Sequence, residues 1–208
     1  MAEIPYEYQK PNISQEAIDK VNQACYDNRA DYWDRFPFPD ALPGLIKKYY
    51  NPDLGNRVLD IGSGTGMLAK WLSDQNFNVL CIDPSAEMVK RCQEKGLTTL
   101  QTTFQNYHGD SKFSMIFAIL SMIHVPKAEF STQLKKIADS MPQGGLLFLG
   151  MIEGSGEGFF EQSDYPRFFA YYTPKEIEAI AQKYFLKVDY HYSKSGQIGY
   201  MLFVFKKI

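Results

Sequence analysis

Basic residues never gather in this chain. Lys and Arg total 22 against 24 Asp and Glu, for a formal net charge of −2, and cationic side chains adjoin only in pairs such as Lys47-Lys48, Lys135-Lys136 and Lys206-Lys207. A phosphate backbone is gripped by a basic stripe or patch, so this pattern argues against a nucleic-acid partner. Cysteine is scarce as well. Cys25, Cys81 and Cys92 are an odd number without C-x-x-C spacing, which gives neither a disulfide framework nor a thiolate metal site. Cys81 lies inside an apolar stretch and reads as a small core residue. Asp and Glu are scattered, and His108 and His191 stand isolated as surface or packing residues, so no metal is expected. No apolar run approaches the length of a membrane span. Met1 to Lys10 is polar and lacks the apolar core of a signal peptide. The expectation is a soluble, reduced, cytoplasmic protein.

What the chain does have is apolar mass, 45% of its 208 residues, with 15% aromatic. That suits one globular domain over 1–208, with a helical segment at 1–54 ahead of a core at 55–208. The core is organised around Arg57-Val-Leu-Asp-Ile-Gly-Ser-Gly-Thr-Gly-Met67. Val58 to Ile61 reads as a buried strand, and Met67 to Leu72 as the start of a helix. Between them Gly62, Gly64 and Gly66 form a tight turn in which backbone can approach a ligand, at a helix N-terminus whose first N–H groups lack intrahelical partners.

The G-x-G-x-G spacing differs from the dinucleotide G-x-G-x-x-G. Asp60 stands two residues before the first glycine, and a second strand, Asn78 to Ile82, ends in Asp83, seventeen residues after Gly66. A carboxylate at that strand end can accept hydrogen bonds from both hydroxyls of a ribose. On these residues the sequence resembles the class I S-adenosylmethionine-dependent methyltransferases. Their first motif is similar to Val58-Leu-Asp-Ile-Gly-Ser-Gly-Thr-Gly66 and their second to Cys81-Ile-Asp-Pro-Ser-Ala-Glu-Met-Val89, and the likeness continues through Phe113-Ser-Met-Ile-Phe117 and Gly144-Gly-Leu-Leu-Phe-Leu149. A nicotinamide-binding Rossmann protein is the competing expectation.

The remaining elements follow in order. Asn12 or Ser14 caps a helix to about Asn28, and a short helix spans about Ala41 to Tyr50. Between them Asp27 to Pro43 is dense in aromatics and reads either as a packed loop or as a lid. Ser85 to Lys95 is a helix closed by Gly96. Strand three covers Leu97 to about Thr102, and Phe113 to Leu120 is a continuously apolar central strand. Pro126, as first helical residue, opens a helix to about Ser140. A buried strand ends at Met151, and Glu153 to Asp164 breaks the alternation as a flexible or ligand-facing stretch. Thr173-Pro-Lys-Glu176 is a capping box for a helix to about Lys183. Strands at about Leu186 to Tyr192 and Gln197 to Phe205 are too closely linked for a crossover and pair as an antiparallel hairpin. The expected fold is a doubly wound α/β domain with a mainly parallel seven-stranded sheet, which the resemblance implies as well.

The resemblance also implies a set of site residues. S-adenosyl-L-methionine, leaving as S-adenosyl-L-homocysteine, would lie over the strand ends, approached by the backbone of Gly62, Ser63 and Gly64 and near Asp60. Asp83 would hold the ribose, Pro84 and Met88 would face the adenine, and Thr103-Phe104 would frame its edge, with Thr103 standing where the family has an acidic or polar residue. Ser114 departs from the usual Asp. Leu120 and Ser121 would flank the cofactor, and an aromatic near Tyr32 would approach it. His124 is the candidate general base, with a hydrogen-bonded histidine at the helix start as the alternative. Arg167, among Phe168, Phe169, Tyr171 and Tyr172, is the candidate clamp for an anionic substrate group, with cation–π packing as the alternative. The Asn/Asp-Pro-Pro-aromatic motif of amide- and base-methylating enzymes is absent. A small-molecule acceptor methylated at oxygen or nitrogen is expected. RNA or protein methylation, or cofactor binding without turnover, are the alternatives, and oligomeric state is not specified by the sequence.

Overall fold

The computed structural model describes residues 14–110, 112–160 and 166–208. The N-terminal arm and the Asn12 cap lie outside them. Parallel strands β1 (Arg57–Ile61), β2 (Asn78–Asp83), β3 (Thr98–Gln101), β4 (Met115–Ile119) and β5 (Leu146–Ile152) join antiparallel β8 (Phe185–Ser195) and β9 (Ile198–Lys207) in the order β3-β2-β1-β4-β5-β9-β8. The chain leaves β1 toward β2 on one side and returns to β4 on the other, so the strand order reverses between β1 and β4. Open α/β sheets bind ligands in the crevice at the carboxyl ends of such a pair.

Alternation along the strands builds two apolar layers. Leu59, Ile61, Ile116, Leu147 and Phe203 face α6 (Lys127–Asp139), α7 (Pro174–Ala181) and Ile18 of α1 (Gln15–Asn28). Val58, Cys81, Phe117, Phe148 and Val204 face α3 (Leu42–Tyr49), α4 (Met67–Asp74) and α5 (Ala86–Glu94). Ser14 caps α1, accepting from the Ala17 N–H, and Thr173 with Glu176 forms the expected capping box.

Three expectations need correction. The Asp27–Pro43 stretch is not all loop: α1 ends at Asn28 as expected, but a further short helix, α2 (Ala30–Trp33), follows it. Pro126 sits one residue before helix α6, in extended conformation at the cap position. Within Glu153–Asp164, β6 (Glu157–Phe160) pairs antiparallel with β7 (Arg167–Ala170), so part of that break is a hairpin laid across the strand ends. Strands of four residues carry little periodicity, which is why the pairing of Phe159 with Phe168 does not show in sequence.

Candidate cofactor and acceptor site

The glycine turn leaves β1 with positive φ at Gly62, Gly64 and Gly66, of +66°, +54° and +80°. Their surroundings differ. A Cβ on Gly62 would stand 2.4 Å from Ser121 Cβ, and one on Gly66 would stand 2.8 Å from both Cys92 Sγ and Leu97 Cδ1, whereas a Cβ on Gly64 would meet nothing within 4 Å. The outer glycines therefore let the turn pack against β4 and α5. Only the middle one borders open space where a ligand can approach.

Asp83 fixes that turn. Its Oδ2 accepts from the Gly64 N–H and its Oδ1 from the Ser85 N–H, both at 2.9 Å. Burial pushes its carboxyl up to about 6, against the lowering effect of those two N–H groups. Deeper still, Asp60 is 3% exposed and is pushed up to about 8, by burial first and then by Cys92 and Asp83. It is a protonated acid under the turn at neutral pH. Ser121, facing Gly62, has a buried hydroxyl with no hydrogen-bond partner among the described residues. Leu120 beside it takes a left-handed φ of +57°, a strained conformation for a branched side chain at the end of β4. Met88 is 1% exposed and packed inside α5, and Phe104 is 5% exposed under Lys136. The Thr103 hydroxyl accepts from the Asn106 N–H in a turn, and the Pro84 carbonyl accepts from Gln101.

The N-terminal helices close over this crevice. Asp27 accepts from the Ser85 hydroxyl at 2.6 Å, tying α1 to the start of α5. Asp31 pairs with Arg91, and Asp34 with Arg91 and Lys95. A hydrogen bond from Thr65 and those cations hold the Asp34 carboxyl below its usual range. Tyr32 is 40% exposed at the rim of this cover, edge-on to Trp33 and Phe36.

His124, in the 3-10 turn Met122–His124, joins three elements. Its Nδ1 lies 2.6 Å from the Phe168 carbonyl of β7, which can only accept, so Nδ1 carries the proton. Nε2 then accepts from the Tyr26 hydroxyl of α1 at 2.7 Å. Burial, with the Arg167 charge adding to it, lowers the ring to about 4 against the Phe168 bond. The ring is neutral with both nitrogens engaged, which is the geometry of the hydrogen-bonded alternative. Arg167 lies over Trp33 at 4.8 Å and Phe169 at 4.9 Å from the ring centroids, and 5.9 Å from that of Tyr26. The structure thus brings His124 and Arg167 together through Tyr26, a residue the sequence reading did not select. The signal was there: Tyr26 lies eight residues after Ile18 on the stripe that buries Asn22 and Cys25. No helix among the described residues is long and apolar enough to cross a membrane.

Comparison with known proteins agrees with this geometry. A family model described as "Methyltransferase domain" matches residues 58–145. An uncharacterized methyltransferase of Staphylococcus carnosus is 29% identical over 137 residues, covering 65% of this chain and 62% of its own. A ubiquinone biosynthesis O-methyltransferase of Actinobacillus pleuropneumoniae is 30% identical over 135 residues, covering 55% and 56%. The chain thus spans less than two thirds of the length of these curated relatives. Among solved structures, the 1,6-didemethyltoxoflavin-N1-methyltransferase of Burkholderia thailandensis superposes with a TM-score of 0.74 at 17% identity, over 96% of this chain and 92% of that one. Residues 58–145 thus match a methyltransferase domain, and the chain shares the fold of solved S-adenosylmethionine-dependent methyltransferases.

Proposed function

We propose that the protein transfers a methyl group from S-adenosylmethionine to an oxygen or nitrogen of a small-molecule acceptor. The observation that carries this reading is the Asp83 carboxylate, hydrogen-bonded to Gly64 at the edge of the β1/β4 crevice, beside the unpartnered Ser121 hydroxyl. An acceptor oxygen pair for a ribose, open space at Gly64 and a free hydroxyl at the switch point fit the cofactor. When bound, S-adenosylmethionine supplies an electrophilic methyl on a sulfonium. The chain's own task is then to hold an acceptor in line and to exclude water. Asp83 would orient the ribose and the Gly62–Gly64 backbone the methionine portion. The cover formed by α1, α2 and the β6–β7 hairpin would keep water from the crevice.

Met88 and Phe104 are buried within the protein, so they would support the adenine pocket from behind its surface. His124 would act as a positioning residue that holds Tyr26 and β7, since neither ring nitrogen is free to receive an acceptor proton. The Staphylococcus and Actinobacillus relatives support methyl transfer by name, and the ubiquinone-pathway and toxoflavin enzymes are named for small-molecule acceptors. The test is a homocysteine-release screen against metabolite, RNA and protein pools. Turnover confined to metabolites is expected. Turnover confined to RNA or protein, or none with any pool, contradicts the proposal.

A further inference from the structure

The cover over the crevice carries a cation whose surroundings point to a ligand. The Arg167 guanidinium is packed against the Trp33 and Phe169 rings and lies 5.9 Å from the Tyr26 centroid. Among the described residues no carboxylate pairs with it, although Asp31, Asp34 and Glu157 are all paired elsewhere. Beside it runs a directional chain: the Tyr26 hydroxyl donates to His124 Nε2, and His124 Nδ1–H donates to the carbonyl of Phe168, the next residue after Arg167. The Trp33 ring packs against it, and the indole N–H of that ring is buried without an acceptor among the described residues. Tyr26 precedes Asp27, which bonds Ser85 beside Asp83, so this cluster adjoins the proposed cofactor crevice.

Aromatic rings cover the faces of a guanidinium but leave its N–H edge, and that edge matches a planar oxyanion held by two parallel hydrogen bonds. The apolar rings also strip water from the cation, which strengthens its pairing. We infer that the methyl acceptor is a carboxylic acid anchored by its carboxylate on the Arg167 edge with help from the Trp33 N–H, a reading that rests on the methyl-transfer proposal above. The carboxylate is the handle and not the reacting atom.

The test is calorimetric titration of the protein saturated with S-adenosylhomocysteine, using matched aromatic acids and their neutral carboxamides (hydroxy- and aminobenzoates, indole and pyridine carboxylates). At least one acid should bind at least 10-fold more tightly than its amide. Arg167→Gln should weaken that acid by roughly 10- to 100-fold and leave the amide unchanged. Arg167→Lys, which keeps the charge without the fork, should fall between them. Trp33→Phe, which keeps the ring, should weaken the acid by a few-fold. If no acid binds better than its amide, or if the preference survives in Arg167→Gln, the inference is overturned. The wild-type comparison decides this even where a variant folds poorly. Failure of S-adenosylhomocysteine itself to bind would instead count against the methyl-transfer reading, so the two outcomes are separable.

Discussion

The two halves of the crevice are built differently. The proposed cofactor half is centred on one continuous stretch, in which the turn after β1 meets the end of β2 through the bond from Gly64 to Asp83, nineteen residues apart. The proposed acceptor half is assembled from distant parts of the chain. Tyr26 reaches His124 over 98 residues, His124 reaches Phe168 over 44, and Asn22 Oδ1 accepts from the Phe168 N–H over 146. A short-range motif keeps its geometry whatever covers it. A long-range assembly can change its lining residues one at a time, so acceptor choice is expected to vary where cofactor choice does not.

The largest effect should fall in the continuous half. Gly62→Ala combines a positive φ with a Cβ placed 2.4 Å from Ser121 Cβ, and should destabilise by about 3 kcal/mol or more in urea denaturation. Gly64→Ala meets no atom, and should cost only about 1–2 kcal/mol of backbone strain while weakening S-adenosylhomocysteine. Equal losses of stability at the two positions would contradict the division between packing and ligand-facing glycines.

Asp83 sharpens the contrast through pH. Its folded value of about 6 lies above the ordinary 3.8, so the proton is bound more tightly in the fold. Its stabilising contribution is complete below pH 4 and is lost as pH rises through 6, a change of roughly 3 kcal/mol. Cofactor affinity should run the other way, rising from pH 4 to 6 as the carboxylate forms. Asp83→Asn should abolish both slopes and weaken S-adenosylhomocysteine by roughly 100-fold, read by calorimetry across that window. Parallel slopes would mean that Asp83 serves the fold alone.

His124 belongs to the other half and titrates in the opposite sense. Its folded value of about 4 lies below 6.5, so its contribution is present above pH 6.5 and lost as pH falls through 4, again roughly 3 kcal/mol. His124→Ala leaves the Tyr26 hydroxyl and the Phe168 carbonyl unpaired and should cost about 2–3 kcal/mol in thermal or urea melts. It should change turnover of the remaining folded protein by less than 10-fold. A loss of roughly 10²- to 10⁴-fold with stability intact would restore the general-base role.

The smallest effect should come from the ion pairs that hold α2 to α5. Asp31 and Asp34 are solvent-facing partners, so Asp31→Asn should cost under about 1 kcal/mol, and less at high salt.

These contrasts match what could be read without coordinates. Strand alternation, the glycine spacing and the acid at the end of β2 are local signals, and they led directly to the sheet, its closing hairpin and a ligand site at the strand ends, while the reversal between β1 and β4 came from the strand order. The same signals could not say that Gly62 and Gly66 serve packing, because Ser121 and Cys92 come from other elements. Met88 occupies a motif position yet faces inward. The β6–β7 hairpin escaped because both strands are only four residues long and β6 carries Gly158 and follows Gly156. The pairing of His124 with Tyr26 and Phe168 is a long-range fact with no trace in local pattern.

The central claim is that the crevice beside Asp83 and Gly64 takes S-adenosylmethionine and not a dinucleotide. Calorimetric titration of the wild-type protein at pH 7 with S-adenosylhomocysteine and with NAD tests it most directly. Saturable one-site binding of the homocysteine product, weakened in Asp83→Asn, with no binding of NAD, is the predicted result. Saturable binding of NAD with none of S-adenosylhomocysteine would contradict it.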